Sequence, residues 1–283
     1  MKSINFSQNF LHNYQLVDFL IRKSGLTKDD AVIEIGAGSG SITRTLAKQI
    51  GKVVAVEKDN RLARHLEEKF NKYQNVEVVH EDFLGFELPN TDYKIFSNPP
   101  FNISTEIIKK LLTAKNPPTH TYLVLQKEAS LKFAGFGKTT LFSLFYLPYF
   151  EFKIIHRFKP TDFKPAPKVA VIFLGIEKRK QSLVEEKHKK TYQDFVTFVF
   201  NRSNPNLFFA LNQILPVEKI TTIQKSLAVD FKKISPSQLH FEQWLELFNE
   251  SVDFINRKKI GGSYANLIKQ QSQLPKTHRT REY

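Results

Sequence analysis

The chain contains no cysteine, which removes disulfides, thiolate zinc sites, iron–sulfur clusters and any catalytic thiol together. Methionine and tryptophan occur once each. No run approaches the about eighteen consecutive apolar residues that a membrane span needs. The opening MKSINFSQNF has neither a charged-then-apolar leader nor an Arg-rich transit pattern. The expectation is therefore a cytoplasmic protein with no membrane association. The eight histidines, His12, His65, His80, His120, His156, His188, His240 and His278, never fall three to five residues apart, so no helical histidine pair for a metal is written and no metal is expected.

What is present points to a folded globular protein with a polyanionic partner. At 283 residues with 41% hydrophobic content, the chain is long enough for a main domain and a small companion. Lys+Arg 42 against Asp+Glu 28 leaves a net charge of +14, a balance that favours a polyanionic partner by steering and counterion release.

Short apolar runs alternate with helical patterns through the first two thirds: AVIEIG (31–36), VVAVE (53–57), VEVV (76–79), YKIF (93–96) and TYLVLQ (121–126), separated by segments such as NRLARHLEEKF. That is the rhythm of an α/β fold with a parallel sheet. FEFKII (150–155) and VAVIFLGI (169–176) follow with no long helix between them, as suits an antiparallel hairpin at one sheet edge. After EKRKQSLVEEKHKK (177–190) strand alternation stops and helical periodicity takes over. The spacing predicts a catalytic domain over 1–180, a small all-helical domain over 181–256 whose last helix opens at Ser235-Pro236, and a mobile basic tail over 257–283 with seven Lys/Arg against one Glu.

The first strand runs into EIGAGSGS, which sets Gly36, Gly38 and Gly40 between a strand and a helix. Glycines there allow a tight turn and close approach of a ligand to the backbone. The second strand ends at Glu57, where a carboxylate can accept both hydroxyls of a ribose. Nicotinamide, flavin and S-adenosylmethionine sites share this arrangement, and two features favour the last. The third glycine follows Gly38 by two residues rather than three, so the pyrophosphate-cradling turn is not reproduced. The third strand is followed by HEDFL, with Asp82 placed to accept an adenine amine and Phe83 beside it; a plain helix cap is the competing reading of Asp82.

Directly after YKIF comes Asn98-Pro99-Pro100-Phe101. Prolines cannot continue a ladder, so this segment ends the strand and stiffens the backbone at the sheet edge where ligands bind. An aromatic amine is a poor nucleophile because its lone pair is delocalised. The Asn98 side-chain carbonyl and the Pro99 main-chain carbonyl can accept from such an amine and Phe101 can stack on its ring, so positioning and fixed dipoles are the catalytic means. The base must first leave its stack.

QNFL (8–11), EIGAGSGS (34–41), Glu57, Asp82, NPPFNIS (98–104) and RFKPTDFKPAPKV (157–169) together resemble the ribosomal RNA adenine-N6 methyltransferases, which include the Erm macrolide-resistance enzymes and the small-subunit dimethylases of the KsgA type. The resemblance spans roughly residues 6 to 255. It implies a Rossmann-like class I S-adenosylmethionine-dependent methyltransferase domain followed by a small helical RNA-binding domain. It also implies that Asn9, Leu11, Gly36, Gly38, Glu57, Asp82, Phe83 and Asn98 line the S-adenosylmethionine site. Asn98, Pro99 and Phe101 would then hold the target adenine, with Phe163 covering its other face; packing before the last strand is the competing role of Phe163. The family more often has NIPY or NLPY, so Pro99 and Phe101 depart from the pattern while keeping a main-chain carbonyl and a stacking face.

The stretch from TLFSLFYLPYF to IEKRK and the HRTREY tail look closer to the Erm branch. That implies methylation of one adenine in the peptidyl-transferase region of 23S rRNA, resistance to macrolides, lincosamides and streptogramin B, and a monomer acting on naked or assembling RNA. The rivals are a 16S rRNA dimethylase, a DNA adenine methylase and a non-catalytic RNA-binding factor on the same fold. Lys132, Lys138, Lys159, Lys164, Lys168 and Arg44 flank the expected active face.

Overall fold

The computed structural model describes residues 10–202 and 206–273. In chain order the first elements are β1 (Phe10–Leu11), α1 (Tyr14–Lys23), β2 (Ala31–Ile35), α2 (Ser41–Leu46), β3 (Lys52–Glu57), α3 (Asn60–Phe70) and β4 (Val76–His80). Next come β5 (Lys94–Ser97), α4 (Ser104–Leu112), β6 (His120–Gln126), α5 (Lys127–Ala134), α6 (Leu141–Tyr146), β7 (Phe150–Arg157), β8 (Phe163–Lys164) and β9 (Val171–Lys178). The rest is helical: α7 (Lys189–Asn201), α8 (Leu207–Leu211), α9 (Val217–Leu227), α10 (Phe241–Ser251), α11 (Arg257–Ile260) and α12 (Ser263–Gln273). No helix among the described residues is long and apolar enough to cross a membrane.

Seven strands form one sheet in the order β4-β3-β2-β5-β6-β9-β7. The pairs from β4 to β6 are parallel and β9 is antiparallel to β6. The apolar runs form these strands because their side chains are covered by helices: Val32, Val53, Phe96, Val124 and Phe173 share one core with Val17, Leu20 and Ile21 of α1. The order turns back on itself between β2 and β5, the point at which an open sheet leaves a crevice outside its carboxyl ends.

Among the described residues the chain forms two compact units, one reaching Ser130 and resuming over Glu151–Lys178, the other comprising Leu131–Phe150 and the residues from Arg179 onward. The later division falls between Lys178 and Arg179, and 131–150 clusters with the helical unit. Its attachments are long-range: the Tyr192 hydroxyl donates to the Leu144 carbonyl at 2.9 Å, and the Thr139 hydroxyl to the Leu239 carbonyl at 2.6 Å. Around them Tyr192, Phe195, Trp244 and Phe248 pack mostly edge to face as the core of this unit.

Two sequence expectations in the helical unit need correction. Ser235-Pro236 opens a 3-10 turn, Pro236–Gln238, and not the last large helix; α10 starts at Phe241 behind its own cap, in which the Gln243 side chain accepts from the His240 amide at 3.0 Å. The tail expected to be mobile from 257 is folded as α11 and α12 as far as Gln273, with Ile260 and Leu267 buried. The cause is Asp194 on α7, which is 4% exposed and accepts the Tyr264 amide at 2.9 Å and the Gly262 amide at 3.3 Å. It caps a helix that begins about seventy residues later in the chain. Asp194→Ala would strand both amides and is expected to cost about 1–3 kcal/mol. The check is amide exchange, which should rise over 257–273 while the seven-stranded sheet stays protected.

Candidate active site

The crevice between the ends of β2 and β5 is built from two turns. Register places Ile33 opposite Ile95, which brings Ile35 beside Ser97. The Ser97 hydroxyl donates to the Ile35 carbonyl at 2.6 Å, clipping the two strand ends together. Beyond that clip the chain enters the glycine loop on one side and Asn98-Pro99-Pro100-Phe101 on the other.

The glycine loop needs its glycines. Gly36 and Gly38 have φ of +68° and +58°, a region that side chains disfavour. A Cβ on Gly38 would also stand 3.2 Å from the Phe10 ring. Side chains fix the loop from outside: the Gly38 amide donates to Glu57 Oε2 at 2.8 Å, and Lys69 Nζ donates to the Ser39 carbonyl at 2.6 Å. Glu57 is 4% exposed, and its other oxygen accepts the Asp59 amide at 2.9 Å. Each carboxylate oxygen has accepted one hydrogen bond and has capacity for another.

Asp82 follows β4 on the same sheet edge. Lys58 Nζ donates to its Oδ2 at 2.7 Å and the Leu84 amide to its Oδ1 at 3.0 Å. These two contacts, Lys58 first, hold its carboxyl below the usual range. The Leu84 contact is a local turn bond, so the capping role weighed for Asp82 is present in part. The Phe83 ring is 4% exposed, stacked on Phe86 and covered by Lys110 Nζ. It is packing, and its face is not offered to a ligand in this conformation.

Asn98 is half-buried and lines the crevice with Pro99, Gly36, Ala37, Ser39 and Phe10. The Pro100 carbonyl is occupied by the Ile103 amide at 3.2 Å and the Ser104 hydroxyl at 3.4 Å. Phe101 opens the 3-10 turn Phe101–Ile103 and is half-buried against the sheet core.

Leu11 is 2% exposed in the core and turns its carbonyl to the Ser41 hydroxyl at 3.2 Å. It also lines the crevice beside Phe10. Phe163 pairs opposite Leu11, is 2% exposed and meets Phe158 edge-on at 5.1 Å. In this conformation its ring is packed and offers no free face to a base. Asn9 lies outside the described residues. Lys132 is drawn over the Phe142 ring at 5.2 Å, so it is not a simple solvated cation.

Two crevice residues were not singled out from the sequence. Phe10, next to the expected Leu11, is 42% exposed and stands over Gly38. Glu34, inside the quoted EIGAGSGS, is 1% exposed in the crevice wall and accepts the Thr43 hydroxyl at 2.6 Å. A strand position gives no sign by itself that its side chain meets a cavity. Burial pushes the Glu34 carboxyl up to about 8, with the Thr43 hydroxyl opposing and the Glu57 charge adding to the rise.

The sign follows from linkage. The folded protein keeps a proton on Glu34 that the unfolded chain releases near 4.5. The stability tied to this group is full below that value, declines as pH rises towards about 8, and is level beyond. Glu34→Gln, neutral throughout, is expected to gain stability relative to the wild type as pH rises across this window. Urea unfolding at several pH values measures the difference.

Glu34 stands in the crevice wall, Glu57 holds the Gly38 amide of the loop beside it, and Asp82 follows the next strand of the same sheet. A mostly parallel sheet bearing a glycine loop, two strand-end carboxylates and Asn-Pro-Pro-Phe at its switch point defines a Rossmann-like methyltransferase fold. The family model of ribosomal RNA adenine dimethylases matches residues 1–253, and the chain belongs to this family. It is an enzyme of the rRNA adenine N6-methyltransferase kind. An rRNA adenine N-6-methyltransferase of Limosilactobacillus reuteri is 34% identical over 262 residues, 90% of this chain and 99% of that protein. One from Bacillus licheniformis is 28% identical over 263 residues, 91% and 90% of the two chains. The solved 23S rRNA methyltransferase ErmE is similar at a TM-score of 0.79 and 28% identity, over 86% of this chain and 99% of that one.

Proposed function

We propose that this enzyme transfers a methyl group from S-adenosylmethionine to N6 of one adenine in the peptidyl-transferase region of 23S rRNA, and that the modification confers resistance to macrolides, lincosamides and streptogramin B. The observation that carries the choice of substrate is the likeness to ErmE over nearly all of that structure. The resistance role follows from the substrate, because a methylated adenine there would obstruct the drugs.

S-adenosylmethionine supplies an electrophilic methyl group that needs no acid to leave. The residues present fit it: Glu57 has acceptor capacity left for ribose hydroxyls, Asp82 for the adenine amine, and Glu34 stands in the wall near the Gly36–Ala37 backbone. The chain's own work is to fix the target amine. Asn98 and the Pro99 carbonyl accept from it, which draws the nitrogen towards tetrahedral geometry, and the stiff Pro99-Pro100 backbone keeps both acceptors in place. Phe101 stacks on the extruded base. Rate is gained by positioning and preorganised dipoles. We assign the protein as a monomer.

The test offers radiolabelled S-adenosylmethionine and the protein to protein-free 23S RNA, small ribosomal subunits and duplex DNA in parallel. Label on a single adenine of 23S RNA is the expected result, and digestion then gives the ratio of mono- to dimethyladenosine. Label confined to small subunits would replace the reading with a 16S dimethylase, and no label at all would reduce the protein to a binding factor.

A further inference from the structure

The family model stops at residue 253, yet the chain continues into α11 and α12. This extension is held firmly. Ile260 and Leu267 are buried, Tyr264 meets Phe145 edge-on at 4.9 Å, and the buried Asp194 carboxylate takes two of its amides. A buried carboxylate is costly to desolvate, so the arrangement fixes whatever the extension carries.

It carries Arg257, Lys258 and Lys259, consecutive and all exposed. None of the three forms an ion pair among the described residues; the nearby carboxylates are Asp253, the nearest in the chain, and Glu250, which pairs with Lys219 at 2.9 Å. Three adjacent like charges repel one another, and a folded turn keeps them together. Just before them Phe254 is 53% exposed, with Lys219 Nζ 5.0 Å from its ring centre. An exposed aromatic face beside clustered cations is the combination that binds single-stranded nucleic acid, the cations on phosphates and the ring on a base.

We propose that the turn from Phe254 to Lys259 is an RNA-docking surface, with Arg257, Lys258 and Lys259 on backbone phosphates and Phe254 stacked on an unpaired base. The inference rests on the ribosomal RNA substrate proposed above. It assigns the extension to substrate capture, remote in sequence from the residues that fix the adenine.

The test measures binding of protein-free 23S RNA across a potassium chloride series for the wild type, the triple variant R257A/K258A/K259A and Phe254→Ala. In the triple variant the slope of log affinity against log salt is expected to shrink by about 2, the value for three lost phosphate contacts. Turnover at saturating RNA and binding of S-adenosylhomocysteine should be unchanged, which also reports an intact fold. Phe254→Ala should weaken binding with the slope retained. Wild-type methylation of 23S RNA together with an unchanged slope in the triple variant would overturn this inference alone. If the wild type labels only small subunits, the substrate reading has failed, and the same salt series on 16S RNA decides the turn. A wild type that binds no RNA overturns both.

Discussion

Asn98→Ala is expected to fold like the wild type and to lose methyl transfer by about 10²- to 10³-fold, the usual cost of removing one preorganised polar group from a reacting centre. The expectation comes from the local backbone. Pro100 spends its carbonyl on the turn that follows, on Ile103 and Ser104, so Pro100 is not the acceptor, and the proposed role falls to Asn98 and the Pro99 carbonyl. The Pro99 carbonyl cannot be removed by substitution, which leaves Asn98 as the accessible test. Single-turnover measurements with saturating RNA and cofactor separate this loss from weakened binding. Affinity for S-adenosylhomocysteine should change far less than the rate. Transfer at near wild-type rate would show that another group holds the amine.

Glu57→Ala is expected to lower cofactor affinity by about 10²-fold or more, since hydrogen bonds to a charged group are each worth about 1.5–3 kcal/mol. The same change leaves the Gly38 amide without its acceptor, and a stranded buried amide costs about 1–3 kcal/mol of stability. The two effects are linked through the glycine loop. Gly38 has a positive φ, and its amide is tied to the carboxylate that would also accept ribose hydroxyls. Calorimetric titration with S-adenosylhomocysteine and thermal unfolding measure them separately. Glu57→Gln keeps one carbonyl oxygen, so it should fall between the wild type and the alanine variant in both measurements. A Glu57→Ala protein that binds the cofactor normally would remove Glu57 from the site.

The strands, the glycine loop and Asn98-Pro99-Pro100-Phe101 could be read from the chain because each is a local property. Apolar runs of strand length, glycines at positions that need positive φ, and prolines that end a ladder all act within a few residues. Local signals misled where a distant partner intervened. Lysines and arginines with a Gly-Gly break read as a mobile tail from 257, but Asp194 on α7 accepts its amides from about seventy positions away. Ser235-Pro236 has the chemistry of a cap, and it capped a single 3-10 turn before α10.

The sequence by itself determined the fold class, the family motifs and the strand ends that carry Glu57, Asp82 and Asn98. In a parallel sheet the residues that close each apolar run arrive on one edge, so order along the chain is enough to gather them. Only the tertiary structure decided what each side chain does there: Glu57 bound to the Gly38 amide, Lys58 on Asp82, Glu34 buried in the crevice wall, and the rings of Phe83 and Phe163 committed to packing. These outcomes depend on burial and on partners far apart in sequence, and a side chain's charge, exposure and hydrogen bonds are set by the neighbours that folding brings to it.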